Sequence, residues 1–538
     1  MGPYTDKSKK RIAGYLPTKT KSIAYVCQDR NCDFHSKRLP IYVIDEDIYE
    51  IRPTFLVGTI DKFTQLAWNH DVRKIFGINE NGDREFSPPS LIIQDELHLI
   101  TGPLGSIAGI YEGVVEELCK DVRNPKMPGP KIICSTATIK MYKNQIKSLY
   151  ARDKKFSKLF PPHGISIDDN FFSTYAKNSE GKYDKPKYFV GINTTVIGSM
   201  QKAQVDIYAN LLQSVNFLSK EERDPWYTLL CFFNRIKDVG YTETLLQNDI
   251  PSKLKLNHQR KNIKRELQRY INPNDYIQLT GNSSNEEVWD AIRKLNIEYK
   301  EIIKDKDDSK NKKQIDYKEK ALSACLASNI IEVGVDIPRL SLITVLAQPK
   351  STSTYIQVTG RIGREWKERP GLVITIYAPR RQRDRSHYEQ FRSYHERLYS
   401  HVEPTSVTPF ARPVLERALH ATLVSYVRQY GSIDNIQNPI YDNQNISNLI
   451  KEFFKIYEKR LKTIDEDQIE ILEEIFNRRI NEWERFEPQE WSKGNNKLLN
   501  YAGTFTSERF VWETPIAMRN VDAKCKASIT DKYIKEEE

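Results

Sequence analysis

The 538-residue sequence is poor in the features that mark membrane and secreted proteins. No apolar run approaches the ~20 residues of a membrane-spanning helix, so no membrane partner is expected. The opening stretch MGPYTDKSKKRIAGYLPTKTK carries charge but no apolar segment of the kind a secretory leader needs. Cysteine is scarce. The seven cysteines are scattered and odd in number, which argues against a disulfide framework and for a reducing, cytoplasmic setting. Glycine and proline are missing altogether between Pro439 and Pro488. That stretch has apolar residues at helical spacing with charge opposite, so it predicts two long amphipathic helices. Charge of one sign does not dominate either. A net +10 spread over so long a chain permits a polyanionic partner without requiring one. The length exceeds what one ordinary core accommodates, so two or three domains are expected.

The most informative stretch present is LIIQDELH, Leu91 to His98. Leu91 to Gln94 suit a buried strand, and Asp95 and Glu96 follow at once. Ligands of parallel α/β sheets sit at the carboxyl ends of strands, so this spacing brings two acids to a nucleotide's place. One acid can hold Mg2+ through water while its neighbour orients an attacking water. Taken alone, an acidic pair after a strand is more often a solvated strand end. KIICSTATIK, Lys131 to Lys140, predicts a second buried strand, ending in Ser135-Thr136-Ala137-Thr138. Hydroxyls there could bond both an acid and a histidine such as His98. Gly102, Gly105 and Gly109 are read as preceding a helix that carries Ile110, Val114, Val115 and Leu118.

Downstream, Ala321 to Arg364 holds Glu332, Gly334 and Asp336, then Pro338, a strand and a helix through Gln357 to Gly360-Arg361-Ile362-Gly363-Arg364. Arg361 and Arg364 are three apart and share one face of a helix or turn. Two guanidinium groups so placed suit a triphosphate, although arginine pairs on surface helices are common. In PTFLVGTIDKF, Thr59 could present its hydroxyl to a phosphate, but an ordinary helix cap is favoured. Arg380, Arg381, Arg383, Arg385, Arg392 and Arg397 alternate with Tyr388, Phe391, Tyr394 and Tyr399. Phosphate contact with base stacking is one use for them; a solvated helix face packed by tyrosines is favoured slightly. The run from Lys300 to Lys313 reads as a solvated loop or a frayed helix end. Cys27 and Cys32, near His35, read equally as free thiols or as half a zinc ribbon, since a closed site needs four ligands.

The joint order GTIDKF, DELH, STAT, FFNR, LTG, SNIIEVGVDIP, QVTGRIGR resembles the superfamily 2 helicases over roughly residues 50–380. QDELHLITGPLGSIAGIYE, LFPPHG, YTLLCFFNRIKDVG, AQPKSTSTYIQVTGRIGR and RDRSHYEQFRSYHERLYSHVEPTSVTPFARP are similar to the DrmA-type helicase subunit of DISARM anti-phage systems. The resemblance implies an α/β fold with two RecA-like domains, the first incomplete, plus a mainly helical C-terminal region. The expected division is a remnant of a zinc-ribbon-like insertion (1–50), partial RecA-like domain 1 (51–160), a crossover linker (161–200), RecA-like domain 2 (201–380) and the helical region (381–538).

The resemblance further implies ATP and Mg2+ as cofactors, with Zn2+ in the complete protein. Asp95 would hold Mg2+ through water and Glu96 would polarise the attacking water. His98, Ser135 and Thr138 would couple hydrolysis to motion. Gly334 and Asp336 would approach the nucleotide, and Gln357, Arg361 and Arg364 would line the γ-phosphate. Thr59 and Thr280 would touch DNA, with Arg380 and Arg381 as further DNA contacts. A DUF1998-type partner subunit and a DNA methyltransferase are implied as partners.

One departure stands against these matches. A Walker A loop, G-x-x-x-x-G-K-[ST], should precede GTIDKF, and none does. Gly181-Lys182 is followed by Tyr183, and Thr18-Lys19-Thr20 lacks the preceding glycines. Two readings follow. In one, this is an ATP-dependent DNA helicase or translocase subunit, with an upstream polypeptide supplying Walker A. In the other, it is a catalytically idle remnant that binds DNA or a partner.

Overall fold

The computed structural model describes residues 5–6, 11–12, 15–17, 23–27, 29, 31–35, 37–121, 123–124, 129–136, 141–162, 171–172, 174–194, 199–299, 320–328, 337–365, 367, 369–403, 406–504 and 511–519. The chain divides into two compact units. The first comprises Met1–Thr136, Met141–Lys158 and Thr405–Glu538; the second comprises Ala137–Lys140 and Leu159–Pro404. The stretch 381–538, expected to stand apart, is thus shared between them.

In the first unit, β1 (Leu91–Gln94) pairs in parallel with β2 (Lys131–Cys134), Leu91 opposite Lys131. The helix Gly102–Leu118 follows β1. The glycines expected to precede this helix lie inside it. Packing explains why: a Cβ on Gly109 would stand 3.0 Å from Pro409 Cβ, and one on Gly113 would stand 3.1 Å from the Tyr457 ring. The helix can therefore lie flush against the C-terminal part of the chain. That part forms the helices Arg412–Tyr430, Gln444–Ile464 and Ile469–Phe486. The last two are the amphipathic pair expected from the sequence. They bury Ile446, Ile450, Phe453, Tyr457 and Leu461 from one, and Leu472, Ile475, Phe476 and Trp483 from the other.

Buried arginines tie distant segments of this unit together. Arg73 donates to Gly431 O at 2.7 Å and to Arg428 O, while Arg428 donates to Ala67 O at 2.7 Å. These bonds satisfy helix-end carbonyls that would otherwise be buried without donors.

The second unit is built on a six-stranded, wholly parallel sheet. Its strands are β3 (Lys187–Asn193), β4 (Leu229–Phe233), β5 (Tyr276–Leu279), β6 (Ala324–Ala327), β7 (Leu342–Leu346) and β8 (Gly371–Tyr377). Their spatial order is β3-β8-β7-β4-β6-β5. The edge strand β3 falls inside the stretch expected as a crossover. Alternate residues of β4 serve two cores. Leu230 and Phe232 join one with Tyr355 and Leu295; Leu229, Cys231 and Phe233 join the other with Tyr208 and Leu254. Burial on both faces is why these strands are continuously apolar.

Gly363 and Gly371 meet at one end of this sheet. Gly363 has φ +63°, and a Cβ there would lie 2.7 Å from Gly371 N, so both backbone conformation and contact demand glycine. The Arg/aromatic stretch folds onto the same unit. Buried Asp384 accepts from Gln348 N at 3.0 Å and Ala378 N at 2.9 Å, just beyond β7 and β8. Tyr355 OH lies 3.0 Å from His395 Nε2, and Tyr394 is buried. The tyrosine packing favoured from the sequence therefore holds for Tyr394, whereas Tyr399 is exposed. No helix among the described residues is long and apolar enough to cross a membrane.

Candidate functional site

Asp95 and Glu96 leave β1 at its carboxyl end. Glu96 adopts the left-handed region at φ 51°, which breaks the strand and lets Leu97–Leu99 turn. A non-glycine residue held there carries local strain. Asp95 is exposed. Its Oδ1 accepts from Ser135 Oγ and, at 2.9 Å, from Glu96 N. Its Oδ2 has no hydrogen-bond partner among the described residues, so one carboxylate oxygen stays open for a hydrated cation. Strand pairing continues into the motifs: Ser135 N donates to Gln94 O at 2.9 Å and Leu97 N to Ser135 O at 2.9 Å.

His98 is buried, with Nδ1 3.1 Å from Thr136 Oγ1 and 3.3 Å from Glu96 Oε2. An ionised carboxylate only accepts, so Nδ1 carries the proton in this assignment. Among the described residues, the hydroxyl that meets His98 is that of Thr136. Thr138, expected in this role, lies outside the described residues, as do Gly334 and Asp336. Sequence reading also missed Gln145. Its buried amide donates to Leu97 O at 3.0 Å and Ile100 O at 2.9 Å, locking the turn that presents His98. A glutamine on a helix ~50 residues away gives no sequence signal for this.

Thr59 is the exposed residue preceding a short helical turn, Ile60–Thr64, and its side chain makes no capping bond. That turn is held by the segment WETPIAMR. Asp61 Oδ1 accepts from Met518 N at 2.9 Å, and Asp61 Oδ2 pairs with Arg519 at 3.2 Å. Thr64 Oγ1 donates to Ile516 O at 2.8 Å and Trp68 Nε1 to Pro515 O at 3.1 Å. The two partners of this contact lie over 400 residues apart in the sequence.

In the second unit Gln357 lies half-buried on the helix Thr352–Thr359. Arg361 and Arg364 follow in the turn after it, half-buried and exposed respectively, separated by Gly363. Thr280 is largely buried, and its hydroxyl accepts from Asn282 N at 3.3 Å, so it organises the turn after β5. Arg380 and Arg381 are exposed at the start of the helix Gln382–Glu389. Cys27 and Cys32 are free cysteines, half-buried, with Cys27 bridged to His35 through the backbone. Among the described residues no group of three or more His, Cys, Asp or Glu could hold a metal ion.

Residues 260–365 match the helicase conserved C-terminal domain. Over 507 residues the chain is 35% identical to the DISARM protein DrmA of Bacillus paralicheniformis, covering 87% of this chain and 42% of that protein. The chain therefore spans less than half the length of this relative. Among solved structures, the DUF1998 helicase MrfA bound to DNA and AMPPNP is similar over 72% of this chain and 44% of that one, at 16% identity and TM-score 0.45. Helicase Lhr of Mycobacterium smegmatis bound to ssDNA and AMP-PNP is similar over 71% of this chain and 39% of that one, at 14% identity and TM-score 0.41. On its identity to DrmA and its helicase C-terminal domain, the chain belongs to the DrmA family of helicase proteins.

Proposed function

We propose that the chain is the motor part of an anti-phage defence assembly, turning ATP hydrolysis into movement on DNA. The observation that carries this reading is the hydrogen-bonded set at the end of β1: Asp95 with Ser135, and His98 with Thr136 and Glu96. Asp95 keeps one oxygen open and would hold Mg2+ through water. Bound Mg2+ neutralises charge on the phosphates of ATP. Glu96 is fixed by its backbone and by His98, and would orient the attacking water. His98 links this carboxylate to β2 through Thr136, so a change at Glu96 reaches the STAT segment. In the second unit Arg361 and Arg364 would address phosphate oxygens, with Gln357 beside them. Thr59, Thr280, Arg380 and Arg381 are the proposed DNA contacts, Thr280 through the turn it organises.

A phosphate-cradling loop would come from polypeptide outside these residues. The bare face of β1 and β2 supports this. Leu91 is 45% exposed, Ile93 57% and Ile133 44%, although parallel strands are normally covered on both faces. A two-stranded parallel sheet is not a finished layer. The remaining partners, a DUF1998-type subunit and a DNA methyltransferase, are proposed from the likeness to a DISARM protein.

DNA-stimulated ATP turnover of the purified chain, alone and mixed with the upstream polypeptide, tests the reading. Turnover in the mixture that Glu96→Gln abolishes is the expected result. No turnover in the mixture, with DNA or partner binding retained, would establish the idle binding remnant instead.

A further inference from the structure

The turn that carries Arg361 and Arg364 has a third cation beside it. Lys187 opens β3 and pairs in register with Gly371, the first residue of β8. Gly371 N donates to Pro186 O at 2.8 Å, and a Cβ on Gly363 would lie 3.3 Å from that same oxygen. The backbone just before Lys187 therefore packs against the residue just before Arg364. The Lys187 side chain is half-buried and makes no ion pair or hydrogen bond among the described residues. The nearest carboxylate in the turn, Glu365, is taken by Arg369. Two cations thus adjoin at this sheet end, one of them unpaired and partly desolvated.

We propose that Lys187 and Arg364 form a phosphate-binding pair, which makes Lys187 a ligand-contacting residue of the site. This rests on the reading above that Arg364 addresses phosphate. An unpaired, partly buried ammonium beside a guanidinium is electrostatically unfavourable until an anion bridges them. The charge state agrees. Burial first, and then the charge of Arg364, pushes the Lys187 amine down to about 8. Arg364 is the charged group that acts on it, and Glu365 in the same turn is paired with Arg369. A phosphate oxygen at the pair would restore the ordinary, higher proton affinity of the amine. The phosphate could belong to a nucleoside triphosphate or to a DNA backbone, and the two differ in which probe reports it.

Proton linkage gives the size of the effect. For a group titrating near 8 when free and far higher when bound, affinity falls about tenfold between pH 7 and pH 9. The test uses the full chain with the upstream polypeptide and titrates AMPPNP and, separately, a fluorescent single-stranded oligonucleotide at both pH values. One probe is expected to lose about tenfold in the wild type, and that probe names the source of the phosphate. Lys187→Arg should keep its affinity at pH 9. Lys187→Gln should already be weaker at pH 7 than the wild type is at pH 9, and should lose nothing further. Thermal melts of both variants establish that they are folded. The same pH profile in wild type and both variants overturns the assignment. If Arg364→Ala weakens the probe while the Lys187 variants do not, the phosphate reading of the arginine stands and the pair falls. If neither probe saturates the wild type, both fall together.

Discussion

Glu112 offers a quantitative test of how the first unit is packed. It lies in the middle of the helix Gly102–Leu118 and is buried, one turn from Glu116. Glu116 takes the cations: Arg152 at 2.7 Å on one oxygen and Arg460 at 2.8 Å on the other. Glu112 is left with burial, which pushes its carboxyl up to about 7; Arg460 opposes the rise and Glu116 adds to it. Between its ordinary range near 4.5 and about 7, the folded chain holds a proton on Glu112 that the unfolded chain has released. Raising the pH through that window therefore favours unfolding. The contribution is fully favourable below about 4.5 and fully lost above about 7. Linkage puts the loss between pH 5 and pH 7 at ~2 kcal/mol. Glu112→Gln keeps the shape and removes the titration. Urea midpoints for variant and wild type should diverge by that amount from pH 5 to pH 7, with the variant the more stable at pH 8. Taking the difference cancels every other titrating group. A difference that stays flat across this range, or a glutamine variant weaker than wild type at pH 8, refutes the reasoning.

Thr136→Val removes the hydroxyl that meets His98 and should lower DNA-stimulated turnover about tenfold, ~1.4 kcal/mol, while Thr136→Ser retains it; loss of activity on Thr138→Val alone would point to the other threonine. Gly363→Ala forces a Cβ toward Gly371 at a left-handed position and should cost ~2 kcal/mol or more, read as a lowered melting temperature of the second unit. Ile93→Lys on the bare face of β1 should leave the melting temperature of the chain unchanged and abolish its association with the upstream polypeptide in analytical ultracentrifugation. Unimpaired association would mean that this face is not where the polypeptide docks.

Sequence reading reached furthest where one short stretch fixes both an element and its chemistry. LIIQ followed by two acids places Asp95 at a strand end because three apolar residues and a glutamine make a short strand that the acids can only follow. The amphipathic helices 444–464 and 469–486 were legible for the same reason, since their burial follows from their own periodicity. It failed where a residue's meaning lies in a distant partner. Gly109 looks like a loop glycine until Pro409 is seen against it. LFPPHG hid the start of the second sheet because its prolines suggest a linker, yet KYFVGIN shortly after supplies the edge strand β3.

The choice between Thr136 and Thr138 illustrates the limit in its sharpest form. Successive side chains of an extended segment point to opposite faces, so hydroxyls two apart fall on the same side and are indistinguishable by pattern. Among the described residues, what brings Thr136 to His98 is where the chain stops being a strand. β2 ends at Cys134, and Leu97 N donates to Ser135 O, which pulls the β1 turn across the next residue. That bond, together with the Gln145 amide under the same turn, sets His98 opposite Thr136. The site is therefore specified twice: by motif residues, which the sequence displays, and by backbone donors and one buried glutamine, which it does not. Replacing Gln145 by Leu separates the two, because every motif residue stays in place while Leu97 O and Ile100 O lose the amide that ties them together, Leu97 O keeping only Ile100 N. A cost of ~2 kcal/mol in stability follows from that loss. If DNA-stimulated turnover falls with it while Glu96 and His98 are untouched, the geometry of the turn and not the identity of the motif residues limits the rate.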